Sequence, residues 1–358
     1  MDIEKMDPNL KAVSGNCEGA QFISAHDERF SLHGVYFDKA DGLYKRVPAE
    51  IAINTNEYVV ALGKMTAGGR IRFITDSPYI AIKASIPYFS IMSHMTITAS
   101  HGFSVYADGF FQGRYSPTPK SFASALTKDD RIYFADKKPL LKKEGKKLVE
   151  IYFPLYGGLS ELHIGIDPSS TIEKAPDYKI KKPLVFYGSS ITQGACVSRP
   201  GNDYISIIGR RLNADYVNLG FSGNGKAEAS MIDYVNTFDG SMFAFNYYMF
   251  KAYPEVVLPP HYSIYERIRE KHPNVPILLT DMPNIDHSPH PEREEIIRST
   301  YEKALANGDK NVAYVPAYDM FGDSERDCCT VDGVHPNDLG TMRIADALTP
   351  AVKKLLKI

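Results

Sequence analysis

The sequence predicts a two-part protein, an all-β sandwich followed by an α/β domain built on a parallel sheet. Two changes of rhythm carry this expectation. From about residue 21 to 166, short apolar or alternating runs are broken by Gly, Pro, Asn and Asp, as in antiparallel strands joined by turns. After residue 182, apolar strands alternate with amphipathic helices, which implies a parallel sheet covered on both faces. At 358 residues the chain is long for one domain and suits two. The boundary is expected between 178 and 179, in the polar stretch 167–182 that carries Pro168 and Pro176.

In the first half, candidate strands lie at 58–62, 71–74, 80–86, 103–107, 131–134 and 148–154. Ala107-Asp108-Gly109 stands between two aromatic runs and predicts a hairpin turn. The lysine-rich stretch 137–147 predicts a solvated loop or hairpin tip. In the second half, strands are expected at 184–187, 216–219, 242–248, 275–280 and 312–315. Helices are expected at 204–212, 227–235, 263–270, 292–306 and 338–356, the fourth ended by Asn307-Gly308.

Hydrophobic residues make up 44% and charged residues 23%, with a net charge of −2, so no global charge argues for nucleic acid or an anionic membrane. No apolar run reaches the roughly 18 residues of a membrane span. Met1 to Pro8 is acidic and polar, without the apolar core of a signal peptide. The expected compartment is cytoplasmic if Met1 is the native start, and outside the cell otherwise. The four cysteines, Cys17, Cys196, Cys328 and Cys329, fit no zinc spacing and are expected as reduced thiols, with pairing of Cys196 to Cys328 or Cys329 as the alternative.

The chemistry concentrates in three segments. Leu184 to Tyr187 runs into Gly188-Ser189-Ser190, so a hydroxyl lands at the carboxyl end of a strand, where open α/β sheets form their sites. Ser189 competes with Ser190. Near the C-terminus, Asp332-Gly333-Val334-His335 supplies a carboxylate and an imidazole, with Gly333 allowing the acid to fold back on the ring. A serine nucleophile needs a base, and the base needs an orienter. The bland alternative is a loop whose Asp and His cap the last helix. The third segment, Asn218-Leu219-Gly220-Phe221-Ser222-Gly223-Asn224-Gly225, could bring a backbone N–H close to a substrate oxygen.

Together these segments resemble the SGNH (GDSL-like) hydrolases, whose blocks are G-D-S, N-x-G-x-S-G, G-x-N-D and D-x-x-H. By that match Ser190 is the nucleophile, with Ser189 in place of Asp, His335 the base and Asp332 its orienter. Gly223 matches the glycine whose N–H joins the oxyanion hole beside that of Ser190. The resemblance implies a three-layer α/β/α flavodoxin-like domain behind a jelly-roll-like sandwich. Asp41-Gly42-Leu43-Tyr44-Lys45-Arg46-Val47-Pro48 resembles the signature of that N-terminal domain. It further implies hydrolysis of small acyl esters, acetyl above all, on carbohydrate, with no metal or organic cofactor. Tyr88, Phe89, Phe110 and Phe111 are candidate glycan contacts.

One block departs. The family's asparagine falls on Phe250, within Phe245-Asn246-Tyr247-Tyr248-Met249-Phe250-Lys251. Losing one oxyanion donor typically costs about 100- to 1,000-fold in rate. Asn246, Asn224 and a tyrosine hydroxyl are the candidates to replace it, and drift of the site toward binding is the alternative. Two decoys remain. Gly322-Asp323-Ser324 follows no long apolar run. The stretch from Gly220 to Lys226 resembles a Walker A loop, but Ala227 stands where that motif needs Ser or Thr. His287 and His290 read as loop residues, with metal binding as the sharper alternative.

Overall fold

A computed structural model of the chain describes residues 17–128, 131–142, 144–246, 260–283 and 291–358. The chain divides into two compact units. The first holds the chain up to Lys45 and Lys64–Pro176, and the second holds Arg46–Gly63 and Asp177–Ile358. The single boundary expected at 178/179 is corrected accordingly: residues 46–63 leave the first unit and fold with the second.

The first unit is a β-sandwich. Its strands are Gln21–Ser24 (β1), Ser31–His33 (β2), Tyr36–Asp38 (β3), Leu43–Lys45 (β4), Arg70–Thr75 (β5), Tyr79–Ile86 (β6), Phe103–Ala107 (β7), Phe110–Tyr115 (β8), Ile132–Pro139 (β9), Lys147–Tyr152 (β10), Glu161–Ile166 (β11) and Ile172–Lys174 (β12). One sheet runs β1-β11-β6-β9; the other runs β12-β5-β10-β7-β8, with β2 also on β5. Alternation along the strands sends Ile80, Ile82 and Ala84 of one sheet and Phe103, Val105, Val149 and Ile151 of the other into a shared core. Asp108 and Gly109 both have positive φ, as the β7–β8 turn requires. The stretch 137–147 is exposed at 141–142 and 144–146, as the expected solvated loop, and is not a hairpin tip. It begins inside β9 and crosses to the other sheet, and Lys147 is buried. The expected linker likewise starts inside the sandwich, because β12 pairs with β5.

The second unit is a three-layer α/β/α domain. Five parallel strands, Ile180–Gly188 (β13), Ala214–Gly220 (β14), Met242–Asn246 (β15), Ile277–Thr280 (β16) and Val312–Val315 (β17), lie in the order β14-β13-β15-β16-β17. This order reverses direction at β13, and the carboxyl ends of β13 and its neighbours are where open α/β sheets of this kind form their sites. The helices of this unit are Ala49–Thr55 (α1), Glu57–Leu62 (α2), Ser190–Gln193 (α5), Tyr204–Leu212 (α6), Ala229–Val235 (α7), His261–Lys271 (α8), Pro291–Ala306 (α9) and Asp338–Leu356 (α10); Ile97–His101 (α3) and Pro119–Lys128 (α4) belong to the sandwich. On one face of the sheet, Val185, Tyr187, Phe243 and Ile277 pack with Ala52, Val59, Met231, Ile264 and Ile297 from α1, α2, α7, α8 and α9. Helices α6 and α10 pack against each other, α6 also meeting β14 and α10 meeting β16 and β17.

The run 58–62, expected as a strand, is helical. Asn56 caps it by accepting the Val59 N–H at 2.9 Å, and Val59 is fully buried in the second unit's core. A short apolar run carries no decisive period, so its partner decides the outcome. Tyr247 and Tyr248, expected at the end of β15, lie outside the described residues.

Helix α6 starts on Asp203, a fully buried cap that accepts the Ser206 N–H at 2.9 Å and the Ser206 hydroxyl at 2.6 Å. Asp203→Ala is expected to destabilise the second unit by about 1–2 kcal/mol. Denaturant titration monitored by far-ultraviolet circular dichroism checks this, and an unchanged midpoint would refute it.

Candidate active site

β13 ends at Gly188, and the chain turns at Ser189 into the short helix α5, which begins with Ser190. A Cβ on Gly188 would lie 2.3 Å from the Asn246 carbonyl, so glycine allows the turn to press against β15. The other two pieces come from the far end of the chain. Asp332 Oδ1 accepts the backbone N–H groups of Val334 (3.0 Å) and His335 (2.7 Å), closing a tight turn. Asp332 Oδ2 then lies 2.7 Å from His335 Nδ1, and His335 Nε2 lies 2.9 Å from Ser190 Oγ. The structure therefore brings together three residues that the sequence spreads over two segments. The imidazole bonds Ser190; Ser189 is buried, and its hydroxyl has no partner among the described residues.

Capping of the last helix, the bland reading of Asp332 and His335, falls to Asn337. Its side chain accepts the N–H groups of Leu339 and Gly340 at 3.0 and 3.1 Å. Two ties join the histidine turn to the loop after α5. Cys196 N–H donates to the Pro336 carbonyl at 2.8 Å, and Ser198 donates its N–H and hydroxyl to Asp338 at 2.8 and 2.5 Å. None of these ties was legible in the sequence, because Cys196 and Ser198 stand in no motif.

The glycine loop lies over the turn that carries Ser190. Phe221 N–H donates to Gly188 O at 2.9 Å, and a Cβ on Gly225 would sit 2.6 Å from that same oxygen. The loop thus packs onto backbone, and does not form the open phosphate cradle of a Walker A loop. Two fully buried polar side chains set its height. Gln193 Oε1 accepts the Ser222 N–H at 2.9 Å; Asn218 donates to Thr192 O at 2.8 Å and accepts the Gly220 N–H at 2.9 Å. A buried amide in an otherwise apolar strand was the signal that could have found Asn218. The backbone N–H groups of Ser190 and Gly223 have no acceptor among the described residues.

Asn246, expected as a possible oxyanion donor, is directed elsewhere. Its side-chain amide donates to Thr280 Oγ1 at 2.9 Å and to the Asp281 carbonyl at 2.6 Å, so both protons serve the β15–β16 junction. The neighbouring Asp281 is itself buried against Arg293. Asn224 donates to the Ser222 carbonyl at 3.0 Å. Phe250, Tyr247, Tyr248, His287 and His290 lie outside the described residues. Of the candidate glycan aromatics, Phe110 is 72% exposed and Tyr88 and Phe111 are partly exposed, whereas Phe89 packs edge-on against Phe122. The Gly322-Asp323-Ser324 string forms a loop whose Ser324 carbonyl accepts from Arg343 at 2.7 Å.

Burial alone would raise the Asp332 carboxyl. Hydrogen bonds from the His335 N–H, the His335 ring and the Val334 N–H outweigh it and bring the group down to about 2. Burial, reinforced by the Asp332 charge, pushes the Cys196 thiol up to about 12. All four cysteines are unbridged. No helix among the described residues is long and apolar enough to cross a membrane.

Because Asp332 in the folded protein lies below its ordinary value of 3.8, the unfolded chain takes up this proton first as pH falls. Its contribution to stability is complete above about pH 4–5 and is lost as pH drops toward 2. Asp332→Asn is therefore expected to differ most from the wild type in unfolding midpoint near neutral pH, with the gap closing across that window. A gap that stays constant down to about pH 2 would contradict it.

Comparisons with known proteins give each unit a family. Residues 181–353 match the GDSL-like Lipase/Acylhydrolase family, and residues 20–172 match GxDLY, described as the N-terminus of Esterase_SGNH_hydro-type. No curated protein matches the chain. Among solved structures, a protein from Bacteroides ovatus described as a GDSL-like lipase is similar at 26% identity and a TM-score of 0.77, covering 95% of this chain and 98% of that one. The salicylyl-acyltransferase SsfX3 from a tetracycline biosynthetic pathway shares the fold at 20% identity and a TM-score of 0.73, over 94% of this chain and 98% of its own. A family two carbohydrate esterase from Clostridium thermocellum, solved with cellohexaose, shares it at 14% identity and a TM-score of 0.58, over 81% and 93%. The two family matches meet near residue 180 and between them take in both units, so the chain belongs to the GDSL-like lipase/acylhydrolases of SGNH type, a family of ester hydrolases, and carries the N-terminal domain of that esterase type.

Proposed function

We propose that this protein is a serine esterase that removes small acyl groups, acetyl above all, from carbohydrate esters through an acyl-enzyme. The observation that carries the reading is the unbroken chain from Ser190 Oγ through the His335 ring to Asp332, at 2.9 and 2.7 Å. Ionised Asp332 fixes the proton on Nδ1 and leaves Nε2 to accept the proton of Ser190 as Oγ attacks the ester carbonyl. The tetrahedral oxyanion is held by the N–H groups of Ser190 and Gly223, both without an acceptor among the described residues. The proton on Nε2 passes to the leaving alkoxide. Water then attacks the acyl-enzyme with His335 again as base, releasing the acid and restoring Ser190. These steps use no metal and no organic cofactor. Carbohydrate as the alcohol follows the family resemblance and is in keeping with the family two carbohydrate esterases that share the fold.

The asparagine block weakens the catalyst on this reading. Phe250 supplies no donor, and the Asn246 amide is occupied at β16. The same observation favours a second reading, a catalytically impaired carbohydrate-binding protein on this fold.

Hydrolysis of p-nitrophenyl acetate and of acetylated oligosaccharides separates the two. Turnover is expected in the wild type, with Ser190→Ala and His335→Ala reduced by about 10⁴-fold or more. Absence of turnover, with glycan binding that survives Ser190→Ala, would support the binding protein instead. Phe250→Asn, which restores the family's donor, is expected to raise kcat; an unchanged or lower kcat in a folded variant would count against the block's alignment.

A further inference from the structure

We infer that Arg46 is a positioning residue for the oxyanion loop, acting through the outer edge of β14. The inference rests on the serine-esterase reading above. Arg46 stands in the signature Asp41-Gly42-Leu43-Tyr44-Lys45-Arg46-Val47-Pro48, at the point where the chain leaves the sandwich and enters the second unit. Its neighbours in that signature have local work. Lys45 pairs with Asp38 at 2.8 Å and Asp41 at 2.5 Å, and Leu43 and Tyr44 are buried. The Arg46 side chain, 2% exposed, instead reaches the catalytic unit's sheet.

β14 is an edge strand. Peptide groups alternate along it. Those of the odd residues turn toward β13, as Phe221 N–H does when it bonds Gly188 O, so those of Asn218 and Gly220 face the open side. Arg46 Nη1 donates to both outward carbonyls, at 3.2 Å to Asn218 and 2.6 Å to Gly220. Nη2 donates to the Leu62 carbonyl at 2.7 Å, which fastens the end of α2 to the same point. The guanidinium also lies over the Phe221 ring, 4.7 Å from its centroid. One planar fork thus supplies the partners that a further strand would have supplied, and it holds the last residue of β14 and the first of the glycine loop. Gly223 follows two residues later. Gln193 and Asn218 brace the loop from the nucleophile side, whereas Arg46 braces it from the strand edge.

A lysine ammonium is a single charged point and cannot reproduce the fork across these carbonyls. Displacement of the loop alters where the Gly223 N–H meets the oxyanion, an interaction made only as the tetrahedral centre forms. The effect should therefore fall on kcat and leave KM in place.

Arg46→Lys and Arg46→Met are compared with the wild type and Ser190→Ala in acetyl-ester hydrolysis, and in labelling of Ser190 by a serine-directed phosphonate whose phosphoryl oxygen takes the oxyanion position. Folding is checked by circular dichroism. Expected are a fall in kcat on the order of 10- to 100-fold in both variants, KM within about threefold of wild type, and a matching fall in the labelling rate. Folded Arg46→Lys with wild-type kcat and labelling rate, or with a change confined to KM or to the unfolding temperature, overturns the inference while an inactive Ser190→Ala leaves the esterase reading standing. Equal turnover by wild type and Ser190→Ala overturns the esterase reading, and the inference with it.

Discussion

The contact on which the site depends is the seating of the glycine loop on the turn that follows β13. Phe221 N–H meets Gly188 O at 2.9 Å, and Gly225 comes so close to that oxygen that a side chain would not fit. Backbone against backbone leaves little slack. It lets two peptide N–H groups, from Ser190 and Gly223, be presented by backbone that packs against backbone beside the parallel sheet, and not by side chains. The buried amides of Gln193 and Asn218 pair with backbone groups of both loops at this junction. Burying such groups is costly unless they are paired, so each also penalises any other arrangement of the loops.

The Asp332–His335 half of the site is built on a different principle. Asp332 and His335 lie three residues apart in a turn that the carboxylate itself closes, one oxygen holding backbone and the other holding the ring. Local geometry therefore sets the tautomer, and the turn needs only to be docked at the correct distance from Ser190. Docking is the task of Cys196, Pro336, Ser198 and Asp338, which tie the two loops together through backbone and carboxylate bonds. The thiol of Cys196, held well above its usual range, takes no charge into this region.

Where the sequence reading failed, the reason was a partner distant in the chain. Residues 58–62 read as a strand because a short apolar run fits either period; Asn56 and the second unit's core make them helical. Asn246 stood at the right strand end to serve an oxyanion, but the β16 junction takes both of its amide protons. Arg46 stood in a recognised signature without a task, since its acceptors, Asn218 and Gly220, are more than 170 positions away. Sequence spacing carries no record of such pairings.

The sequence by itself determined the two-part architecture and the succession of strands and helices after residue 180, while the grouping of Ser190 with Asp332 and His335 rested on the resemblance its blocks carry; the architecture and the Asp332–His335 pair are the parts read locally. These are legible because burial period, turn residues and short spacings are local properties of the chain. Only the tertiary structure decided which unit receives residues 46–63, and where the amides of Asn218, Gln193 and Asn246 point. Each of those outcomes depends on which groups from remote segments share one dry, fully packed space, and a buried hydrogen-bond donor is directed by whichever acceptor that packing brings within 3 Å or so of it.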